Sequence, residues 1–283
     1  MDHRSRALGV PAMAAAAFLW SIAGLFIKII DWHPLTICGV RSLIAALVIL
    51  AWLKRPRLHW SFPQVAAAVS YTATMILFVS ANKLTTSANA IILQYVAPIF
   101  TAIIGAWILK ERARAEHWIA FLFIAGGIVL MFMDKLGGGR FSGDLLAILC
   151  ALAFSFTFIF MRMQKAGSSL ESMLLAHGFT AAAGLTVSLF LPAPHLTAKA
   201  LLSVTILGIF QVGLASVLFA YAVKHISAVT ANLVAVIEPV FNPIWVFLAL
   251  GEAPGARAIA GGVVIIAAVT AASVITTHST PRA

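Results

Sequence analysis

The run VIEPVFNPIWVFLALGE, residues 236–252, sets a carboxylic acid, an amide and two prolines among apolar side chains. Glu238 is the one acid of the sequence away from a polar loop or a helix end. It lies about ten residues into its apolar run, which is ~15 Å at 1.5 Å per residue. An ionisable group at that depth belongs to a substrate or ion pathway, a proton relay or a buried pair. Glu238 can meet a substrate ammonium, or carry a proton. It can equally form a structural ion pair with Arg41, the one base inside an apolar run and at similar depth.

The prolines carry a second kind of chemistry. Each lacks an N–H, so in a helix Pro98, Pro239 and Pro243 leave the carbonyls of Gln94, Ala235 and Pro239 without their usual donor. In hydrocarbon a freed carbonyl costs several kcal/mol unless protein or cavity water satisfies it. Helix breaks at these prolines therefore point to a binding cavity, with a packing kink as the other reading. Further polar and aromatic residues recur at similar depth: Trp20 and Ser21, Tyr71, Gln94 and Tyr95, Phe154 and Ser155, Gln211, Asn232 and Asn242. Trp20, Tyr71 and Tyr95 are too deep to be interfacial anchors. Together the set suits a pocket that holds an apolar or aromatic group and offers a few hydrogen bonds, although any one of them could serve helix packing alone. His177 has no second histidine or carboxylate at ligand spacing and reads as a hydrogen-bonded packing residue. Neither a metal nor another cofactor is expected, and Cys38 and Cys150 form no CxxC site.

These residues need elements that cross a membrane. Hydrophobic residues make up 62% of the 283 and charged residues 10%, and the mean hydropathy is +1.02. Soluble domains have roughly 45–50% apolar and ~25% charged residues. The fold class is therefore an all-α polytopic membrane protein. About 20 apolar residues cross ~30 Å of hydrocarbon, and ten runs fit: 8–30, 35–53, 63–82, 87–109, 118–134, 144–164, 170–191, 200–223, 228–250 and 256–277. The first resembles a signal peptide at its start but runs too long for one, so it reads as an uncleaved helix.

The formal charge of +10 reflects topology and not nucleic acid, because basic residues collect in cytoplasmic loops. With the N-terminus inside, Arg4, Arg6, Lys54, Arg55, Arg57, Lys110, Arg112, Arg114, Arg162, Lys165, Lys224 and Arg282 are cytoplasmic. Only Lys28, Lys83, Lys135, Arg140, Lys199 and Arg257 lie outside. Both termini are thus expected in the cytoplasm.

A repeat organises the spans. Shifted by 141 residues, 81–115 aligns without a gap on 222–256, matching Lys83 with Lys224, Pro98 with Pro239, Phe100 with Phe241 and Glu111 with Glu252. A weaker echo pairs Ala17, Ser21, Phe26 and Lys28 with Ala151, Ser155, Phe160 and Arg162. The copies lie five spans apart, so they run in opposite directions. Two inverted five-helix repeats (5+5) are expected, 1–138 and 139–283, around a central midplane cavity as in many secondary transporters. The small-residue runs at 14–17, 66–68, 125–127, 181–184 and 260–262 read as surfaces for close helix approach.

With P-x-F before a terminal Glu in each half (Pro98-Ile99-Phe100 to Glu111, Pro239-Val240-Phe241 to Glu252), FLWS at 18–21, VRSLIAA at 40–46 and Gly pairs in spans five and ten, the chain resembles the drug/metabolite transporter superfamily, EamA type. The resemblance implies a cavity lined by spans one, three, four, six, eight and nine, and a structural role for Arg41. Within the family the sequence looks most like bacterial inner-membrane exporters of aromatic and bulky neutral amino acids. The implied partners are a small-molecule substrate and the lipid bilayer, without nucleic acid, in a monomer or weak homodimer. Small organic cations, with Glu238 as counter-charge, are the alternative load; a channel-like facilitator is a further one. No enzyme motif is present, neither HExxH nor a defensible Ser–His arrangement.

Overall fold

The computed structural model describes residues 8–85, 93–111, 115–133, 141–164, 169–250 and 255–278. Some side chains inside the helices also lie outside this description, Lys28, Lys83, Asn242 and Pro243 among them. Glu252 and the first residues of the expected fourth span lie outside it too.

Every regular element among the described residues is helical. In chain order they are α1 (Gly9–Trp20), α2 (Ala23–Ile29), α3 (Pro34–Leu53), α4 (Phe62–Leu84), α5 (Ala97–Ile108), α6 (Ala115–Phe132), α7 (Phe141–Met163) and α8 (Ser169–Ser188). There follow α9 (Ala198–Ile206), a π-helical stretch (Leu207–Leu214), α10 (Ala215–His225), α11 (Ala228–Ala235), α12 (Glu238–Leu250) and α13 (Ala256–His278). Among the described residues six helical runs are long and apolar enough to cross a membrane, α3, α7, α8 and the continuous run Ala198–His225 among them. Four further apolar helices, Ala97–Ile108, Ala115–Leu130, Ala228–Phe241 and Ile259–Ala272, are shorter.

Backbone saturation explains this all-helical solution. With no water in the hydrocarbon layer, each N–H and C=O must find its partner within the segment. The exterior matches such a solvent: Trp107 is 90% exposed, and Leu122, Phe123 and Val263 are exposed as well. Apolar side chains on that surface gain nothing by meeting each other, so helices associate through close packing of small residues. The α3–α8 contact shows how close. A methyl on Gly184 would stand 2.6 Å from the Leu35 carbonyl oxygen and 2.8 Å from the Gly39 Cα. On α6, a methyl on Gly127 would stand 2.9 Å from the Gly261 carbonyl oxygen of α13. Gly127, Gly184 and Gly261 fall in three of the small-residue runs of the sequence.

Three of the apolar runs are interrupted. The first is divided at Ser21–Ile22, the fourth at Tyr95–Val96 and the ninth at Val236–Ile237. The last two breaks use the same hydrogen bonds. Val96 N–H donates to the Leu93 carbonyl at 3.3 Å and Ile99 N–H to that of Val96 at 3.0 Å. Residues 141 further along repeat the pattern, with Ile237 N–H to Val234 at 3.1 Å and Val240 N–H to Ile237 at 3.1 Å. These tight i to i+3 bonds satisfy groups that the α-pattern would leave open. Pro98 and Pro239 sit at the second position of α5 and α12 respectively. There the missing N–H is one that a helix leaves unpaired anyway. These two prolines thus start new helices and do not kink the interior of old ones.

Candidate functional site

The breaks bring polar groups into the bundle interior. Tyr95, in the break before α5, has its hydroxyl within hydrogen-bonding reach of the Glu238 carboxylate at the start of α12. Tyr71 on α4 is buried close to both charges, Glu238 and Arg41. Its ring meets that of His177 edge-on, with centroids 5.3 Å apart. His177 on α8 is fully buried and shares a 2.8 Å hydrogen bond through Nε2 with the Ser216 hydroxyl of α10. That is the bond expected of a packing histidine. Its Nδ1 is buried without a partner.

Arg41 is only 3% exposed. Its Nη1 donates to Gln211 Oε1 at 3.4 Å, and its Nη2 faces Met75 Sδ at 3.4 Å and Cys38 Sγ at 3.7 Å. Its Nε is buried without a partner among the described residues. Among the described residues no ion pair joins it to Glu238, the structural pair that similar depth suggested. Depth fixes height along the bilayer but not rotation about the helix axis. The face of α3 that carries Arg41 turns toward α4 and the π-helical stretch instead.

That stretch was not anticipated. A π-helix carries one more residue per turn than an α-helix needs and is found mostly at functional positions. Here it holds Gln211, and its Gly208 allows α3 to approach closely. A methyl on Gly208 would stand 2.6 Å from Ile44 Cβ and 3.1 Å from the Arg41 carbonyl oxygen. Close contact between α3 and the π-helical stretch puts the Gln211 amide within reach of the guanidinium.

Other sequence candidates divide between site and packing. Asn232 on α11 is buried and donates through Nδ2 to Thr101 Oγ1 of α5 at 2.7 Å. Ser21, in the α1–α2 break, donates to the Phe18 carbonyl at 2.6 Å and accepts from Trp245 Nε1 at 2.7 Å. The hydroxyl of Ser155 is buried without a partner. Trp20 and Phe154 belong to an aromatic cluster with Phe158 and Phe219, with ring centroids 4.8–6.0 Å apart. Such offset contacts are worth about 0.5–1.5 kcal/mol each beyond area burial. Gln94 is half-buried beside Tyr95.

One further assembly lies at the ends of the helices. Arg162, at the close of α7, pairs through Nε with Glu111 Oε1 at 3.0 Å. Its Nη1 donates to the carbonyls of Lys224 at 2.8 Å and Val223 at 3.4 Å, in the last turn of α10. Glu111 Oε2 accepts from Ala228 N–H at 3.2 Å, in the first turn of α11. The cation thus faces a helix C-terminus and the anion a helix N-terminus, the favourable sense for both helix dipoles. Glu111 was legible as the terminal acid of the first repeat copy, but its partner was not.

The chain as a whole can now be compared with known proteins. Residues 7–133 and 141–274 each match the profile of the EamA-like transporter family. The chain belongs to the EamA-like transporter family. Among EamA-like relatives, Solute carrier family 35 member G1 of Mus musculus is 30% identical over 189 residues, 59% of this chain and 50% of that protein. Protein RarD of Escherichia coli is 24% identical over 187 residues, 62% of this chain and 61% of RarD. The aligned part of the chain thus spans half to about three-fifths of these relatives. An uncharacterized transporter of Archaeoglobus fulgidus is 23% identical over 276 residues, covering 91% of this chain and 94% of that one. A solved structure described only as a crystal structure of protein superposes with a TM-score of 0.83 at 22% identity, over 96% of this chain and 98% of that chain. It shares the fold of this EamA-like chain.

Proposed function

We propose that this protein is a secondary carrier that moves small solutes across the bacterial inner membrane by alternating access. In this reading ten membrane helices form two inverted five-helix halves, 1–138 and 139–283, with both termini in the cytoplasm. The observation that carries it is the paired break. The same local hydrogen bonds recur 141 residues apart, and they bring Tyr95 of one copy and Glu238 of the other within reach of each other. Broken helices whose free ends meet near the midplane are the usual place for a carrier to hold its load. Family membership and the twofold match of the profile support the reading.

The load is proposed to be an amino acid with an aromatic or bulky neutral side chain, moved outward. Tyr71 and Tyr95 offer aromatic surface there, and the site holds few polar groups. The Glu238 carboxylate, which has no ion pair among the described residues, favours one second reading, an organic cation as cargo. Cysteine accessibility tests the architecture: single cysteines at Lys110 and Gly255, near the ends of the two copies, are labelled with a membrane-impermeant maleimide in oriented membranes. Labelling from opposite sides is expected. Labelling of both from one side removes the inverted arrangement and the carrier mechanism with it.

A further inference from the structure

Two ionisable side chains of opposite sign stand in the interior of this bundle, with no ion pair between them among the described residues. Arg41 is contacted by a neutral amide oxygen and two sulfurs, all weaker acceptors for a guanidinium than an anion is. Among the described residues its Nε has no partner, although Arg41 is only 3% exposed. Glu238 has a neutral phenol as its neighbour. A buried charge is ordinarily paired, because removing it from water without a counter-charge is costly. Among the described residues neither of these two has a counter-charge, and both lie near Tyr71.

We infer that Arg41 and Glu238 are the two halves of a zwitterion site: the guanidinium takes the carboxylate of an α-amino acid and Glu238 takes its ammonium, with the substrate side chain against Tyr71 and Tyr95. This rests on the carrier reading above and goes beyond it by assigning the charged ends of the substrate to named residues. A ligand with both charges on one carbon is the chemistry that satisfies both groups at once. A simple cation would leave Arg41 bare, and a simple anion would leave Glu238 bare. Arg41 has the means for the first contact, since its planar fork can grip a carboxylate through two parallel N–H bonds. The Gln211 amide in the π-helical stretch holds Nη1 and leaves Nε free for a ligand. An amino acid would thus supply, one for one, the counter-charges that the described residues do not supply to Arg41 and Glu238.

The test uses the full chain in proteoliposomes and measures initial rates of counterflow of labelled Phe, Trp, Met and Thr. For each, the competitors are the unlabelled amino acid, its methyl ester, which keeps only the ammonium, and its N-acetyl derivative, which keeps only the carboxylate. Each derivative is expected to compete at least tenfold more weakly than its parent. In Glu238→Gln the gap between parent and N-acetyl derivative should shrink, and in Arg41→Gln the gap between parent and methyl ester should shrink. The ester and N-acetyl comparisons are made on the unsubstituted protein, so they hold even if a variant does not fold. A derivative that competes as well as its parent overturns the zwitterion site. So does counterflow of labelled tetraphenylphosphonium without counterflow of any amino acid, and in both cases the carrier reading stands. Absence of saturable flux for every probe takes both readings down together.

Discussion

The ion pair between Glu111 and Arg162 offers the most quantitative prediction. It ties together the region just after α5, the end of α7, the end of α10 and the start of α11, through the ion pair and three backbone hydrogen bonds. If access alternates, this end of the bundle must part, and the assembly must come undone. The side chains are 21% and 28% exposed, so the pair is worth more than a surface bridge but less than a buried one. Charge-assisted hydrogen bonds contribute about 1.5–3 kcal/mol when shielded. With partial exposure, about 1–2 kcal/mol is a fair value for the charge of Glu111. Replacing it by Gln keeps the length and removes the charge. At 1.4 kcal/mol per factor of ten, the equilibrium should move roughly 5–30-fold toward opening at that end. A reporter cysteine at Ala231, fully buried on α11, reads the change in a background where Cys38 and Cys150 are replaced. Its labelling by an impermeant maleimide should accelerate by that factor in Glu111→Gln and similarly in Arg162→Gln. The double variant should gain little more than either single one, since both remove the same interaction. An unchanged labelling rate, or two effects that simply add, would refute the idea that this pair holds the end closed.

Three other outcomes follow from the same geometry. Glu238→Gln should alter flux or its pH response without loss of expression; normal counterflow at every pH would leave the carboxylate a structural role alone. Gly184→Ala should lower the melting temperature in detergent by the equivalent of about 1–3 kcal/mol, because the methyl meets backbone of α3 and backbone cannot give way as a flexible side chain does. Trp245→Phe keeps ring contact with Phe18, 5.3 Å away between centroids, but loses the bond to Ser21. Thermal unfolding should show a cost of about 1 kcal/mol, and that cost should largely vanish when Trp245→Phe is made in a Ser21→Ala background.

What could be read in the sequence, and what could not, divides along physical lines. The helical runs were legible because hydrocarbon demands long apolar stretches whatever they pack against. The positions of the breaks were legible from Pro98 and Pro239, but not their form. Each proline occupies the first turn of a restarted helix, and the two residues that open the run, Tyr95–Val96 and Val236–Ile237, carry no mark of their own. Glu238 was flagged by its depth, whereas its neighbour Tyr95 was one of several aromatic candidates. Arg41 and Glu238 were expected to pair because their heights match, but the azimuth of α3 is set by packing at Gly39–Gly184 and against the π-helical stretch. The π-helical stretch itself had no local signal, for LGIFQVGL serves equally well as an α-helix. Arg162 and Glu111 are 51 residues apart in sequence, and only the assembled helix ends bring them together.

The central claim is that a solute is bound, enclosed and released by a carrier, and counterflow tests it most directly. Proteoliposomes preloaded with excess unlabelled Phe, Trp, Met or Thr are diluted into trace amounts of the same labelled amino acid. A carrier predicts transient accumulation of label above equilibrium, saturating with concentration and stronger for one enantiomer. Label that only equilibrates, at a rate linear in concentration and blind to handedness, would mean an open pathway and would contradict the account.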